Sequence, residues 1–207
     1  MYTDQSGNKQ QATGDYCICT IPLPVLKNIP SDFSPNLQDA IDQGGSQYAR
    51  AGKSGLQFNR RFWEEDERVF GGITWTDQDI VQLWYPSDGY LTKKGVIVGY
   101  YQFDDTVVGP QAPDKRLAIA LEQGGKIHPQ YKDSFENGVT LYWPKIPYNL
   151  GGWAAYSNDF LNNYYPRLTQ PDGNIYLCGE HVSYITGWQA GALESARLVA
   201  QKINALS

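Results

Sequence analysis

Residues 175–201, IYLCGEHVSYITGWQAGALESARLVAQ, read as a buried strand, a short polar loop and a helix whose first turn is crowded with small residues. Gly187, Ala190, Gly191 and Ala192 fall where that helix starts. Small side chains at a helix N-terminus let a ligand come close to the backbone, and the free N–H groups there attract negative charge. Tight packing of helix on strand would ask for the same residues, so the stretch alone leaves both readings open. The helix itself is better marked. Thr186 followed three residues later by Gln189 is a capping-box pattern, and Ala192, Ala196, Val199, Ile203 and Leu206 recur at intervals of three and four. This spacing predicts one buried face on a helix that reaches the chain end.

Working outward, Asp4 to Asn8 (DQSGN) is a turn between short polar flanks, as in a hairpin remnant, and Asp15 to Pro22 is a β-favouring run expected to be a buried strand. Leu37, Ala40 and Ile41 behind Pro35 have the spacing of a short helix, closed by Gly44 and Gly45. Four strand candidates follow with short links: Lys53 to Trp63, Val69 to Trp75, Val81 to Tyr85 and Gly95 to Phe103. Strands in such succession predict an antiparallel sheet. Asp114 to Ile127 carries Leu117, Ala118, Ala120 and Leu121 at helical spacing and meets Gly124-Gly125, so a helix over that sheet is expected. A last strand pair is read at Gly138 to Pro144 and Trp153 to Tyr156.

Composition excludes several function classes. Seventeen Lys and Arg against 22 Asp and Glu, without a basic block, leave no footprint for a phosphate backbone, so nucleic acid is not an expected partner. No apolar run is long enough to span a bilayer, and the polar residues 1–15 do not form a signal peptide, so a soluble protein is expected. The three cysteines, Cys17, Cys19 and Cys178, lack metal-ligand spacing and read as buried thiols in apolar strands. Glu64-Glu65-Asp66-Glu67 reads as a solvated turn rather than a metal site. The aromatic share, 14%, is high enough to line a pocket or an interface.

Gly179-Glu180-His181 after the strand, followed by Gly187-Trp-Gln-Ala-Gly-Ala-Leu-Glu-Ser195, resembles the C-terminal flavin-binding signature of the flavin-containing monoamine oxidase and L-amino-acid oxidase family. The resemblance extends through Thr20 to Pro24, Arg60 to Asp66, Gly71 to Ile73, Trp84 to Ser87, Leu121 to Gln123, Lys126 to Pro129, Trp143 to Tyr148 and Gly151 to Trp153. In this order the blocks are similar to the bacterial branch and cover nearly the whole chain. The resemblance implies an FAD enzyme that oxidises an amine, an amino acid first of all, to an imine, with oxygen reduced to hydrogen peroxide. Gly179, Glu180, His181, Gly187, Trp188, Gln189 and Ala190 would then bind the cofactor, Glu180 by accepting a hydrogen bond from its ribityl or phosphate-linked portion. Lys53 falls where the family holds a lysine that reaches the flavin N5 through a water. Trp153 and Trp188 match aromatic walls of the substrate cavity, with Tyr142 and Trp143 as further pocket surface. Ala154 stands where amine-specific members have tyrosine, a departure that points toward amino acids. Negative charge that develops on a reduced flavin suits free helix amides, which agrees with the anion reading of the opening stretch.

The G-x-G-x-x-G turn that holds an adenine dinucleotide does not occur in the sequence, since Gly71-Gly72, Gly124-Gly125 and Gly151-Gly152 lack its spacing. The expected fold is therefore α+β and α/β mixed, an antiparallel-rich substrate-binding sheet at residues 31–150. Two partial nucleotide-binding pieces at 1–30 and 151–207 bracket it. The N-terminal dinucleotide-binding half is expected from another segment or partner chain. An unpaired sheet edge also makes self-association into a homo-oligomer an expectation. Two functions follow: the C-terminal part of an FAD-dependent amine or amino-acid oxidase, or a truncated, non-catalytic binding module of the same fold.

Overall fold

The computed structural model describes residues 1–206. The chain opens with a hairpin, β1 (Tyr2–Thr3) and β2 (Lys9–Gln10), then β3 (Cys17–Cys19), α1 (Leu23–Leu26) and α2 (Pro35–Gly44). Next come β4 (Gly52–Phe58), α3 (Phe62–Glu65), β5 (Ile73–Trp75), β6 (Gln82–Trp84), β7 (Gly95–Gln102), α4 (Pro113–Ile127), α5 (Tyr131–Ser134) and β8 (Phe135–Tyr142). A 3-10 turn at Trp143–Lys145, α6 (Asn158–Asn163), α7 (Tyr165–Leu168), β9 (Ile175–Leu177), a second 3-10 turn at Glu180–Val182 and α8 (Gln189–Asn204) follow. These elements form two compact units, one of residues 49–152 and one of residues 1–48 with the segment from Trp153 onward.

The 49–152 unit is built on a five-stranded sheet of order β5-β6-β7-β4-β8 in which every pairing is antiparallel, as the run of short-linked strands predicts. In the central β4, Gly52, Ser54, Leu56 and Phe58 are buried while Lys53, Gly55 and Gln57 take the opposite face. That alternation is the period-two pattern of a strand with one covered side. The covered side packs on Phe62, Trp63, Ile97, Tyr100, Ala120 and Tyr131.

Among the boundaries that differ from the sequence reading, three have a local reason. The first strand stops at Phe58 instead of reaching Trp63. A strand would turn one of Phe62 and Trp63 outward, whereas the helical turn of α3 buries both. The second begins only at Ile73, because Gly71 and Gly72 hold φ of +144° and +91°. And α4 passes through Gly124-Gly125: Gly124 lies against Tyr131, whose ring would be 2.5 Å from an added Cβ, so this glycine serves packing and not termination.

Of the acidic run only Glu64 is withdrawn from solvent, whereas Glu65, Asp66 and Glu67 are exposed as a solvated turn requires. Glu64 is 3% exposed and paired with the equally buried Arg61 at 2.5 Å, while Arg60 holds Glu65 and Asp66 and Glu67 meets His128. Arg61 also donates to the carbonyls of Pro86, Asp88 and Lys94, so its charge is compensated on several sides.

In the other unit β3 and β9 form a two-stranded parallel sheet, Cys17 opposite Ile175 and Cys19 opposite Leu177. Leu23, Leu37, Ile41, Phe160, Leu168 and Leu177 form its main core. Cys17 is exposed and Cys19 half-buried, so of the three thiols expected inside only Cys178 is buried. With a single partner strand, β3 leaves its edge open. The strand expected at Trp153 to Tyr156 is absent; Ala154 makes only an isolated bridge to Tyr48.

Candidate functional site

In the unit that holds both chain ends, β9 delivers Cys178 into a turn that only glycine permits. Gly179 has φ +140°, and an added Cβ would stand 2.6 Å from the His181 ring. The turn is stapled to α8 by Ser195: its Oγ accepts from the Gly179 N–H at 2.9 Å and faces the carbonyls of Gly179 and Ala192 at 2.9 and 3.0 Å. Ser195 belongs to the buried stripe Gly191, Ser195, Val199 of α8. The stripe predicted from the sequence is displaced from this one: Val199 is shared and Ile203 partly buried, but Ala196 and Leu206 face outward.

The small residues around the start of α8 serve different ends. Gly191 is a packing glycine, since its Cβ would approach the Ile185 carbonyl to 2.2 Å. Gly187 has φ +78° and lies under the Trp153 ring, 3.2 Å from where its Cβ would sit. Ala190 is exposed and no contact demands its size. The expected capping box does not form: the N-cap is Trp188 in extended backbone, without a side-chain cap. The amides of Gln189 and Ala190 meet no acceptor among the described residues, and Trp188 is 71% exposed. The first turn of α8 is thus an open set of N–H donors that the chain's own side chains do not cover.

Glu180 is held inside this arrangement. Its Oε1 accepts from the Ala154 N–H at 3.1 Å and its Oε2 from the Gly187 N–H at 2.8 Å. Burial pushes its carboxyl up, opposed by these two bonds. His181 is buried, its Nε2 has no partner, and burial lowers it to about 4, so the ring is neutral. Its carbonyl accepts from Tyr156 Oη at 2.9 Å.

Lys53, in the 49–152 unit, lies on the open face of β4. It is in register with Tyr101 and Leu141, and its Nζ stands 4.3 Å over the Tyr101 ring. Trp84 and Phe103 flank that ring at 5.8 and 4.8 Å between centroids. Tyr142 turns into the core, 4% exposed, its hydroxyl donating to the Asp105 carbonyl and accepting from Arg50. Trp143 opens the 3-10 turn that follows.

Of the residues singled out in the sequence, Trp153, Ala154, Glu180, Gly187 and Trp188 are brought together in one unit, whereas in the other Lys53 and Tyr142 take opposite faces of the sheet. Two residues were given no role by the sequence reading. Ser195 had a signal, a hydroxyl on a helix face between Gly191 and Val199. Tyr101 had none, because it meets Lys53 only through strand register.

Residues 2–204 match the family described as flavin containing amine oxidoreductase. The chain is 30% identical over 202 residues to YobN of Bacillus subtilis (strain 168), assigned by name to the L-amino-acid oxidases, covering 94% of this chain and 42% of that one. It is 28% identical to the flavin-dependent L-tryptophan oxidase RebO of Lentzea aerocolonigenes, over 92% of this chain and 42% of the relative. A putrescine oxidase structure shares the fold with a TM-score of 0.77 at 17% identity, over 93% of this chain and 43% of its own. The chain therefore spans less than half the length of the relatives it matches.

Proposed function

The chain belongs to the flavin containing amine oxidoreductase family, and from that premise we propose that it is the C-terminal part of an FAD-dependent oxidase of primary amines, with an L-amino acid as substrate. The observation that carries this reading is the uncapped start of α8, whose Gln189 and Ala190 amides are free and uncovered. A flat anionic ring system fits there: Ala190 puts no bulk in the way, and the amide dipoles favour developing negative charge.

FAD, when bound, would supply two-electron oxidation of the amine to an imine, with oxygen as the final acceptor. The chain's own residues do the rest. Gln189 and Ala190 offer N–H groups to the cofactor, and Trp153 and Trp188 wall the substrate and exclude water. Glu180, with lone pairs left after its two backbone bonds, accepts from the cofactor's polar chain. Lys53 is assigned the reaction with oxygen on the family resemblance, its ammonium carried on the Tyr101 face.

Co-expression with a segment bearing G-x-G-x-x-G tests the proposal. The expected product is a yellow complex that makes peroxide from an L-amino acid, while the chain alone stays colourless. Micromolar retention of a cofactor requires about −8 kcal/mol, which half a site does not supply. In the complex Lys53→Met is expected to slow reoxidation far more than reduction. A second reading is a non-catalytic module of the same fold. It gains if the complex forms without visible flavin absorbance.

A further inference from the structure

We propose that Glu180 is a positioning residue: one carboxylate fastens the two backbone segments that carry Trp153 and Trp188, and so sets the spacing of that aromatic pair. Ala154, whose N–H reaches Oε1, directly follows Trp153, and Gly187, whose N–H reaches Oε2, directly precedes Trp188. The two segments are 26 and 7 residues from Glu180 in sequence and are joined through its two oxygens and by the contact of the Trp153 ring with Gly187.

The two sides of the clasp are unequally supported. Residues 154 and 155 are also fixed by the bridge to Tyr48 and by the Ala155 N–H on the Gln47 carbonyl at 2.8 Å. On the other side, Ile185 is held by Ser183 Oγ at 3.0 Å, and Trp188 accepts only a long 3.4 Å bond from Ala192. Between them, the bond to Glu180 is the one hydrogen bond that reaches Thr186 or Gly187 among the described residues. Gly187 sits there at φ +78°, one of several conformations open to glycine, and the Glu180 bond restricts it to this one. A charged acceptor suits the task, since hydrogen bonds to ionised groups are about twice as strong as neutral ones.

The groups that face this carboxylate do not compete for its role. Tyr48 and Tyr156 are both pushed far up by burial and by Glu180 itself, and the adjacent His181 is neutral above a pKa of about 4. Glu180 therefore changes charge among neighbours that stay uncharged near neutral pH.

The consequence for substrate binding rests on the oxidase reading above, but the clasp is testable without flavin. In 1H–15N NMR of the full chain titrated with acid, the amides of Ala154 and Gly187 are expected to move with one shared apparent pKa above the ordinary carboxylate range. The indole Nε1 signals of Trp153 and Trp188 should follow the same curve. Glu180→Gln, which replaces one acceptor by an NH2 group, is expected to flatten all four curves and displace both indoles. Amides that titrate separately, or indoles that stay in place while the amides move, overturn the role. The wild-type titration decides the matter even if the variant fails to fold. A colourless co-expressed complex would end the oxidase reading and leave the clasp intact, whereas unmoved indoles would end the clasp and leave the oxidase reading intact.

Discussion

His181 is buried beside Gly179 with a ring nitrogen that finds no partner, which makes it a measurable source of acid sensitivity. Its folded pKa of about 4 lies below the unfolded value of 6.5. Stability is complete above pH 6.5 and is lost as pH falls toward 4, because the unfolded chain takes up a proton that the folded chain refuses. The loss amounts to about 3 kcal/mol. Glu180 acts the other way: its raised carboxyl pKa makes the folded chain the better proton acceptor, so its contribution falls as pH rises from the ordinary carboxylate value. His181→Leu is expected to leave the urea midpoint at pH 7 nearly unchanged and to flatten its fall between pH 6.5 and 4.5. An unchanged acid slope would mean that other groups carry it. At this scale the sequence named His181 and Glu180 through the Gly-Glu-His signature, but not their burial or their backbone partners. Burial and backbone partners are properties of the packed site.

At the scale of the element, glycines in β4 separate what folding needs from what it does not. An added Cβ at Gly52 would stand 2.0 Å from Tyr100 Oη and 2.7 Å from Asp105 Oδ2, whereas at Gly55 it would meet only Val96 and Val139 at 3.7 Å. Gly52→Ala is therefore expected to destabilise the chain by roughly 1–3 kcal/mol through overpacking. Gly55→Val should stabilise it by about 0.5–1 kcal/mol, since a β-branched residue suits a central strand and has room. Thermal melts of the two variants check both signs, and a loss of stability in Gly55→Val would show that the open face tolerates no side chain there. In α8, helical periodicity correctly gave a long helix, but of the face read from Ala192, Ala196, Val199, Ile203 and Leu206 only Val199 is fully buried. Leu193 is 71% exposed, and the small residues Gly191 and Ser195 pack inward, because helix and turn approach more closely than a leucine allows.

For the whole molecule, β3 presents an unpaired edge and Ile18 is 49% exposed, unusual for a parallel pair, which normally has both faces covered. The chain alone is expected to self-associate. Ile18→Lys should shift it toward monomer in size-exclusion chromatography with light scattering, and the same change should weaken capture of the co-expressed segment. An Ile18→Lys chain that aggregates as before would place the sticky surface elsewhere, with the exposed leucines of α8 the next to change.

The sequence by itself determined the antiparallel sheet of the 49–152 unit, the helix over it, the closing strand, loop and helix, and the membership read from the Gly179-Glu180-His181 and Gly187-Trp188 blocks. These signals are local: alternation, helical spacing and short motifs lie within a few residues of one another. Only the tertiary structure decided that Lys53 lies on Tyr101, that Glu64 is buried against Arg61, and that Glu180 joins the segments of Trp153 and Trp188. Strand register, burial and backbone hydrogen bonds between residues far apart in the chain set those relations, and a side chain's identity does not reveal which distant amide or ring it will meet.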